Sequence, residues 1–319
     1  MKLPSTMLVL ERGWLSSNNI VFVGKDHTAV VDTGYATHAE QTLGLIKYAL
    51  NGQTLNTIYN THLHSDHCGG NKILQEHYKK VRTLVPAAEL KKIQNWNKAE
   101  LSFEVTGQQC ERFIADAAMQ PGEKLRLGDL DWVAHSAPGH DPHSVVLYCE
   151  KEGLLISADA LWEKGFGVIF PEVDGRPGFA ETRATLDMIG ELDVRIVIPG
   201  HGKPFKDIKK ALDVAHSRID YLQAVPARNA ENAVKVLLKF LLLDRQQIKL
   251  SEVPKLLHGI PLVAAANKYY MKFGLIHLAH WAVNQLRRAG AAEIKGDFLH
   301  NLDQGSNDAK LNIKINSNI

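Results

Sequence analysis

Thr61-His62-Leu63-His64-Ser65-Asp66-His67-Cys68-Gly69-Gly70-Asn71 places three histidines and an aspartate within six residues. Neither core packing nor solubility calls for such a density. Neutral imidazole and carboxylate are the N and O ligands that suit zinc and related divalent ions, and a catalytic site leaves one position open for water. The residues before the run, Leu55 to Asn60, read as a short strand, and those from Asn71 to about Lys79 read as a helix. The run is therefore expected on a strand-to-helix loop, where side chains two apart can converge on one ion rather than point to opposite faces. His62 and His64 can share one metal, with Asp66 and His67 reaching a second beside it.

The same residue types recur singly after apolar or turn-forming runs, in Ala137-Pro138-Gly139-His140, Ile156-Ser157-Ala158-Asp159 and Ile198-Pro199-Gly200-His201. Two Pro-Gly-His tripeptides, each at an expected strand end, complete a set of seven candidate ligands: His62, His64, Asp66, His67, His140, Asp159 and His201. Seven suits two metals. Isolated histidines such as His27, His216 and His277 read as surface or core residues, and His143 as either a surface residue or a partner to a ligand carboxylate.

This ordered set resembles the signature of the metallo-β-lactamase superfamily, His-x-His-x-Asp-His followed by a separate His, Asp and His. The resemblance runs from about Asn18 to Lys203 and takes in Asn19-Ile20-Val21-Phe22-Val23-Gly24 and Ala29-Val30-Val31-Asp32-Thr33-Gly34, which look like the family's first hairpin. It implies that His62, His64 and His140 hold one metal, that Asp66, His67 and His201 hold the other, and that Asp159 bridges them. Asp32 matches an aspartate that supports the ligands from behind. The implied fold class is α/β, a four-layer αββα sandwich with the metals along the edge where the sheets open. An Asp bridge is similar to hydrolases of the glyoxalase II type. The chain departs from that type at Ala160 to Pro171, where a basic stretch that contacts glutathione is expected, and at Asp141-Pro142-His143-Ser144 after His140. Both departures leave the carrier of the acyl group open.

Two divalent ions, zinc first with iron or manganese as alternatives, supply hydroxide at neutral pH and polarise a carbonyl. The expected reaction is therefore hydrolysis of a thioester, ester or lactone by a metal-bridging hydroxide, with Asp66 as the catalytic residue that handles the proton. Alternatives are a metal-dependent phosphodiesterase or ribonuclease, a mononuclear iron sulfur dioxygenase-like enzyme using His62, His140 and Asp159, and a non-catalytic metabolite sensor. Trp162, Phe166 and Phe170 have near-helical spacing that would suit a core stripe. Gly165, Gly167 and Pro171 interrupt a helix there, which would leave the aromatics on a loop as an apolar, substrate-binding wall.

After His201 the chain changes character. Helices are expected over 207–222, 227–243, 263–273 and 275–289, the last ended by Gly290, with a strand pair over 291–299 and a polar tail over 301–319. The reading divides the chain into a metal-binding catalytic domain over 1–205, a smaller, mainly helical domain over 206–300 that looks like a winged helix, and the tail. Residues 206–319 hold 17 Lys and Arg against 10 Asp and Glu, a net of +7, while residues 1–205 hold 20 against 25, a net of −5. A basic lobe can attract an anionic substrate such as a coenzyme thioester, or nucleic acid as the less favoured partner. Its plainer uses are shaping the rim of the site or forming a homodimer contact.

With 45% hydrophobic residues the 319-residue chain can build a sizeable core. No apolar run is long enough to span a bilayer and the N-terminus carries no signal-peptide pattern, so a cytoplasmic location without membrane attachment is expected. Cys68 reads as a small residue packed behind the metal loop, with a ligand or redox role as the alternative, and Cys110 and Cys149 read as isolated.

Overall fold

The structure is a computed structural model that describes residues 3–98 and 100–302. Two sheets form its larger part. The first has six strands in sequential order, β1 (Met7–Leu10), β2 (Asn19–Val23), β3 (Thr28–Val31), β4 (Thr57–Tyr59), β5 (Arg82–Pro86) and β6 (Ala117–Met119). Its first three strands are antiparallel, with Val21 opposite Val30, and β3 to β6 run parallel. The second sheet is ordered β11-β10-β9-β8-β7, from β7 (Lys124–Leu127), β8 (Leu130–Ser136), β9 (Val145–Cys149), β10 (Leu154–Ala158) and β11 (Ile196–Pro199), with β10 and β11 parallel.

Strand periodicity decides the layers. Ile20, Phe22, Val31, Trp132, Leu147, Ile156 and Ile198 point between the sheets into a shared core, whereas their neighbours point outward. Val21, Val30 and Ile58 pack beneath α1 (Ala39–Leu50) and α3 (Asn71–His77) through Ile46, Leu50 and Leu74. On the opposite outer face, Val146, Leu155 and Val197 meet α7 (Phe179–Glu191) and α8 (Ile208–Ala224). The result is the αββα sandwich expected from the resemblance. Short helices α2 (Ser65–Cys68), α4 (Leu90–Asn95), α5 (Ser102–Thr106) and α6 (Phe170–Val173) border the edge at which β4, β8, β10 and β11 end.

Helix α8 lies against α7 in the outer layer, although the sequence groups it with the later helices. Ala211, Ala215, Ile219 and Leu222 form the apolar stripe that holds it there. The following elements share a separate core: α9 (Ala227–Arg245), β12 (Gln247–Lys249), α10 (Val253–His258), α11 (Pro261–Ala266), α12 (Leu275–Arg288), β13 (Ala292–Lys295) and β14 (Phe298–Asn301). β12, β14 and β13 make a small antiparallel sheet. The helix expected over 263–273 is α11 followed by a π-turn over Asn267–Met271, which lets the Asn267 side chain bond the Phe273 backbone. β12 and α10 have no counterpart among the expected elements, and Asn301, expected in the tail, is the last residue of β14. The rest of that tail from 303 onward lies outside the described residues. Among the described residues, no helix is long and apolar enough to cross a membrane.

Several ties join the halves. Tyr35 packs its ring edge against Phe240, 4.9 Å between centroids, beside Leu15 and Leu243. Val168 and Val173, at the approach to and the end of α6, are buried in the C-terminal core.

Candidate metal centre

All seven candidate ligands lie past strand ends on one edge of the sandwich. His62, His64, Asp66 and His67 follow β4, His140 follows β8, Asp159 follows β10 and His201 follows β11. Backbone bonds lace the two sheets together here, with Asn18 N donating to Gly200 O (2.7 Å) and Val145 N to Thr61 O (2.9 Å), while Ser17 N, at the approach to β2, donates to Asp66 O (2.9 Å). The repeated Pro-Gly-His has a local cause. Gly139 holds φ at +144°, and a Cβ on Gly200 would overlap Asp159 Oδ1 and stand 2.9 Å from His67 Cε1.

Three overlapping groups of ligand atoms result: His62, His64 and His140; His62, His67 and Asp159; and Asp66, His67 and His201. Within the first, His64 Nδ1 stands 3.0 Å from His62 Nε2 and 2.8 Å from His140 Nε2. Their other nitrogens show what fills that space. His140 Nδ1 donates to Val168 O, and His62 Nδ1 meets Thr61 Oγ1, whose own proton goes to Asp32 Oδ2. Both Nε2 atoms therefore carry lone pairs, and their convergence on His64 makes a point that a proton or a metal cation can occupy. Burial first, and then the neighbouring histidines, push His62 well below the ordinary imidazole value, and burial brings His64 and His140 to about 4, so all three are neutral ligands at neutral pH.

The second cluster is built around carboxylates. His67 donates Nδ1–H to Asp32 Oδ2 (2.8 Å), and its buried Nε2 has no hydrogen-bond partner. It faces Asp159 Oδ2 at 3.5 Å and Asp66 Oδ2 at 3.8 Å. Asp159 Oδ2 lies 3.3 Å from His140 Nε2 and its Oδ1 3.8 Å from His201 Nε2, which places this carboxylate between the two clusters. His201 Nε2 is 3.1 Å from Asp66 Oδ2. Burial opposes a charge on His67, but Asp159, Asp32 and Asp66 outweigh it and raise its pKa well above the ordinary value. A field able to hold a proton so firmly on a dry imidazole is equally suited to a divalent cation. The residues present therefore fit a metal.

Asp32 anchors the back of the site. Besides His67 it accepts from Thr61 N (2.9 Å) and Thr61 Oγ1 (2.8 Å), and its backbone holds φ at +57°. Of the three aromatics expected at the rim, two reach it. The Phe170 ring lies 5.3 Å from His64 and 5.4 Å from His140, and Trp162 lies 5.7 Å from His201 while donating Nε1–H to Asp159 Oδ1 (3.2 Å). Phe166 does not: it is 1% exposed, packed among Leu161, Ile169 and Ile219 with Arg218 over its ring. Pro171, expected to break a helix, instead sits in the first turn of α6, where a missing N–H costs nothing. His143 turns toward Glu89 Oε1 (3.7 Å).

Two residues at the site escaped the sequence. Trp14, 58% exposed, stacks on His201 with centroids 5.3 Å apart and meets Trp162 edge-on. Asp141 Oδ2 lies 3.9 Å from His64 Nε2. No spacing pattern points to Trp14, whereas the position of Asp141 beside His140 is a usable signal. A cavity of about 440 Å³ opens from His64, His140 and Phe170 and runs between Leu63, Leu101 and Pro171 on one side and Pro261 and Leu262 of α11 on the other. Behind the metal loop, Cys68 is buried and donates to His64 O (3.3 Å). Cys110 is not isolated, because its Sγ stands 3.8 Å from that of Cys68.

The profile of the Metallo-beta-lactamase superfamily matches residues 12–201. A hydroxyacylglutathione hydrolase of Bartonella quintana (strain Toulouse) is 35% identical over 117 residues, which is 37% of this chain and 38% of that enzyme, so the chain matches under two fifths of its length. A second one, of Synechococcus sp. (strain JA-3-3Ab), is 28% identical over 229 residues, 70% of this chain and 81% of its own. Among solved structures, a metallo-beta-lactamase family protein from Thermus thermophilus superposes with a TM-score of 0.58 at 20% identity, covering 94% of this chain and 100% of that one. That likeness is one of fold, and it extends into the C-terminal helices.

Proposed function

The chain belongs to the metallo-β-lactamase superfamily, and from that membership we propose a hydrolase that cleaves a thioester, ester or lactone with two divalent ions, zinc in the first instance. The observation that carries the reading is the unbroken set of ligand atoms, with Asp159 between two clusters and the Nε2 atoms of His62 and His140 left with lone pairs that face His64. His62, His64 and His140 would hold one ion, Asp66, His67 and His201 the other, and Asp159 both. Ions there would supply Lewis acidity to a carbonyl oxygen and bring the pKa of water toward neutrality.

The chain's own residues do the rest. Asp66 receives the proton of the attacking water and returns it to the leaving group. Burial works against its charge, but His67 and His201 outweigh that and lower its pKa, which keeps it ionised and able to accept a hydrogen bond from water. Asp32 fixes the His67 tautomer so that Nε2 faces the site. Phe170 and Trp162 flank the reacting carbonyl, and the cavity beyond Phe170 takes the larger part of the substrate. The relatives named hydroxyacylglutathione hydrolase support the thioester end of this range. A cytoplasmic setting is consistent with three free cysteines. We place the boundary between catalytic and C-terminal units at the α8–α9 junction, and read the C-terminal unit as winged-helix-like, supported by its helices closing on the β13–β14 hairpin.

The test is metal content by elemental mass spectrometry together with a panel of glutathione and coenzyme thioesters, lactones and phosphodiesters. Close to two zinc-like ions per chain with acyl hydrolysis supports the reading. One iron per chain, or turnover of the phosphodiesters alone, overturns it.

A further inference from the structure

Cys68 and Cys110 are 42 residues apart in sequence, yet their sulfurs stand in contact at 3.8 Å. A disulfide needs about 2.05 Å between sulfurs, so the gap to close is about 1.8 Å. The two sides differ in freedom. Cys68 ends α2, and that helix is pinned from below: a Cβ on Gly69 would overlap Ala36 N, and one on Gly70 would overlap Thr33 O. Cys110 lies in the stretch between α5 and β6, which has no helix or strand from 108 to 116. Its nearest tethers are Gln109 N to Tyr35 Oη (3.1 Å) and Ile114 N to Gln75 Oε1 (3.0 Å). The movement therefore falls on Cys110.

The two thiols also differ in access. Cys68 is fully buried, whereas Cys110 is half-buried and lines a second cavity, of about 390 Å³, with Trp96, Phe103 and Gln108. A small oxidant entering that cavity meets Cys110 first, with a second thiol directly behind it. That is the arrangement of an attacked and a resolving cysteine.

We propose that Cys68 and Cys110 are a dithiol–disulfide couple, oxidised by hydroperoxides, that ties the metal loop to the 107–116 segment. In the first step the Cys110 sulfur takes the terminal oxygen of the hydroperoxide, whose O–O bond breaks and whose remainder leaves as water or an alcohol, giving a sulfenic acid. The Cys68 sulfur then attacks the sulfenic sulfur. The S–S bond forms, the S–O bond breaks, and the departing hydroxide leaves with the Cys68 proton as water. Two thiols lose two electrons and one peroxide gains them. Because Cys68 donates to His64 O and directly follows His67, the disulfide removes that donor from the loop that carries four candidate ligands.

The test uses the full chain, treated with hydrogen peroxide and then digested. The expected result is a loss of two of the three free thiols, a Cys68–Cys110 cross-linked peptide in the monomer, and recovery of both thiols with dithiothreitol. C149S should behave as wild type, and C68A should stop at a Cys110 sulfenic acid that dimedone traps. In a parallel arm, zinc-loaded protein is challenged with a chelator, and the oxidised form should release metal several-fold faster than the reduced form. A peroxide-treated chain with Cys110 over-oxidised and no cross-link, or one cross-linked only between molecules, overturns the couple. A cross-link with unchanged metal release overturns its connection to the metal loop.

Discussion

Asp32 reaches the metal site directly through His67 and, by way of the Thr61 hydroxyl, through His62; its carboxylate accepts three hydrogen bonds and its backbone holds the left-handed region at φ +57°. Asparagine tolerates that conformation but brings an amide where the His67 and Thr61 protons need acceptors. Asp32→Asn should therefore keep the fold and lose about 10- to 100-fold in metal affinity, measured by competition with a zinc indicator. Asp159→Ala should remove most of the metal and nearly all hydrolysis, while His277→Ala, an exposed ring stacked on Phe273, should change neither. Retained activity in the Asp159 variant would end the bridging assignment. A pH dependence follows from His64 and His140, whose pKa values drop from 6.5 to about 4. Unfolded histidine binds its proton near 6.5 and the folded site only near 4, so acid favours unfolding across that window. The metal-free protein should lose thermal stability as pH falls from 6.5 toward 4, and His140→Ala should flatten the slope.

At the level of elements, the ligand set was legible because metal binding constrains residue type at fixed short spacings, and because strand ends announce themselves as apolar runs closed by Pro-Gly or a polar residue. The sandwich followed from the resemblance, since periodicity alone specified only mixed helix and strand. What stayed hidden was tertiary. Phe166 and Phe170 look equivalent in sequence, but one packs into the core beneath α8 and the other, at the start of α6, meets the His64 and His140 rings. Cys110 carried no local signal, because its neighbour is set by where a loop without regular structure crosses α2. α8 looked like its helical successors because its stripe says how much it buries and not against which partner. Phe170→Ala should raise KM for an acyl substrate several-fold with a smaller change in kcat, whereas Phe166→Ala should act through stability, at about 3 kcal/mol. Steady-state kinetics beside denaturant unfolding separates the two.

For the whole molecule, the contact of Tyr35 with Phe240 and the pair of bonds between Asn229 and the Ile169 backbone couple the sandwich to the C-terminal core. Thermal unfolding of the full chain should accordingly be a single transition, and Phe240→Ala, which opens a buried aromatic seam, should cost about 3 kcal/mol and split it in two. Helix α6 belongs to both halves. Its Phe170 faces the ligand histidines, its Val173 is sunk in the C-terminal core, and Tyr270 Oη donates to Glu172 O (2.8 Å). Pro261 and Leu262 of that same core line the cavity. One side of the cavity is thus encoded in the last third of the chain and every candidate ligand before it, so recombination that exchanges only that third would reshape one wall around an unaltered set of ligands.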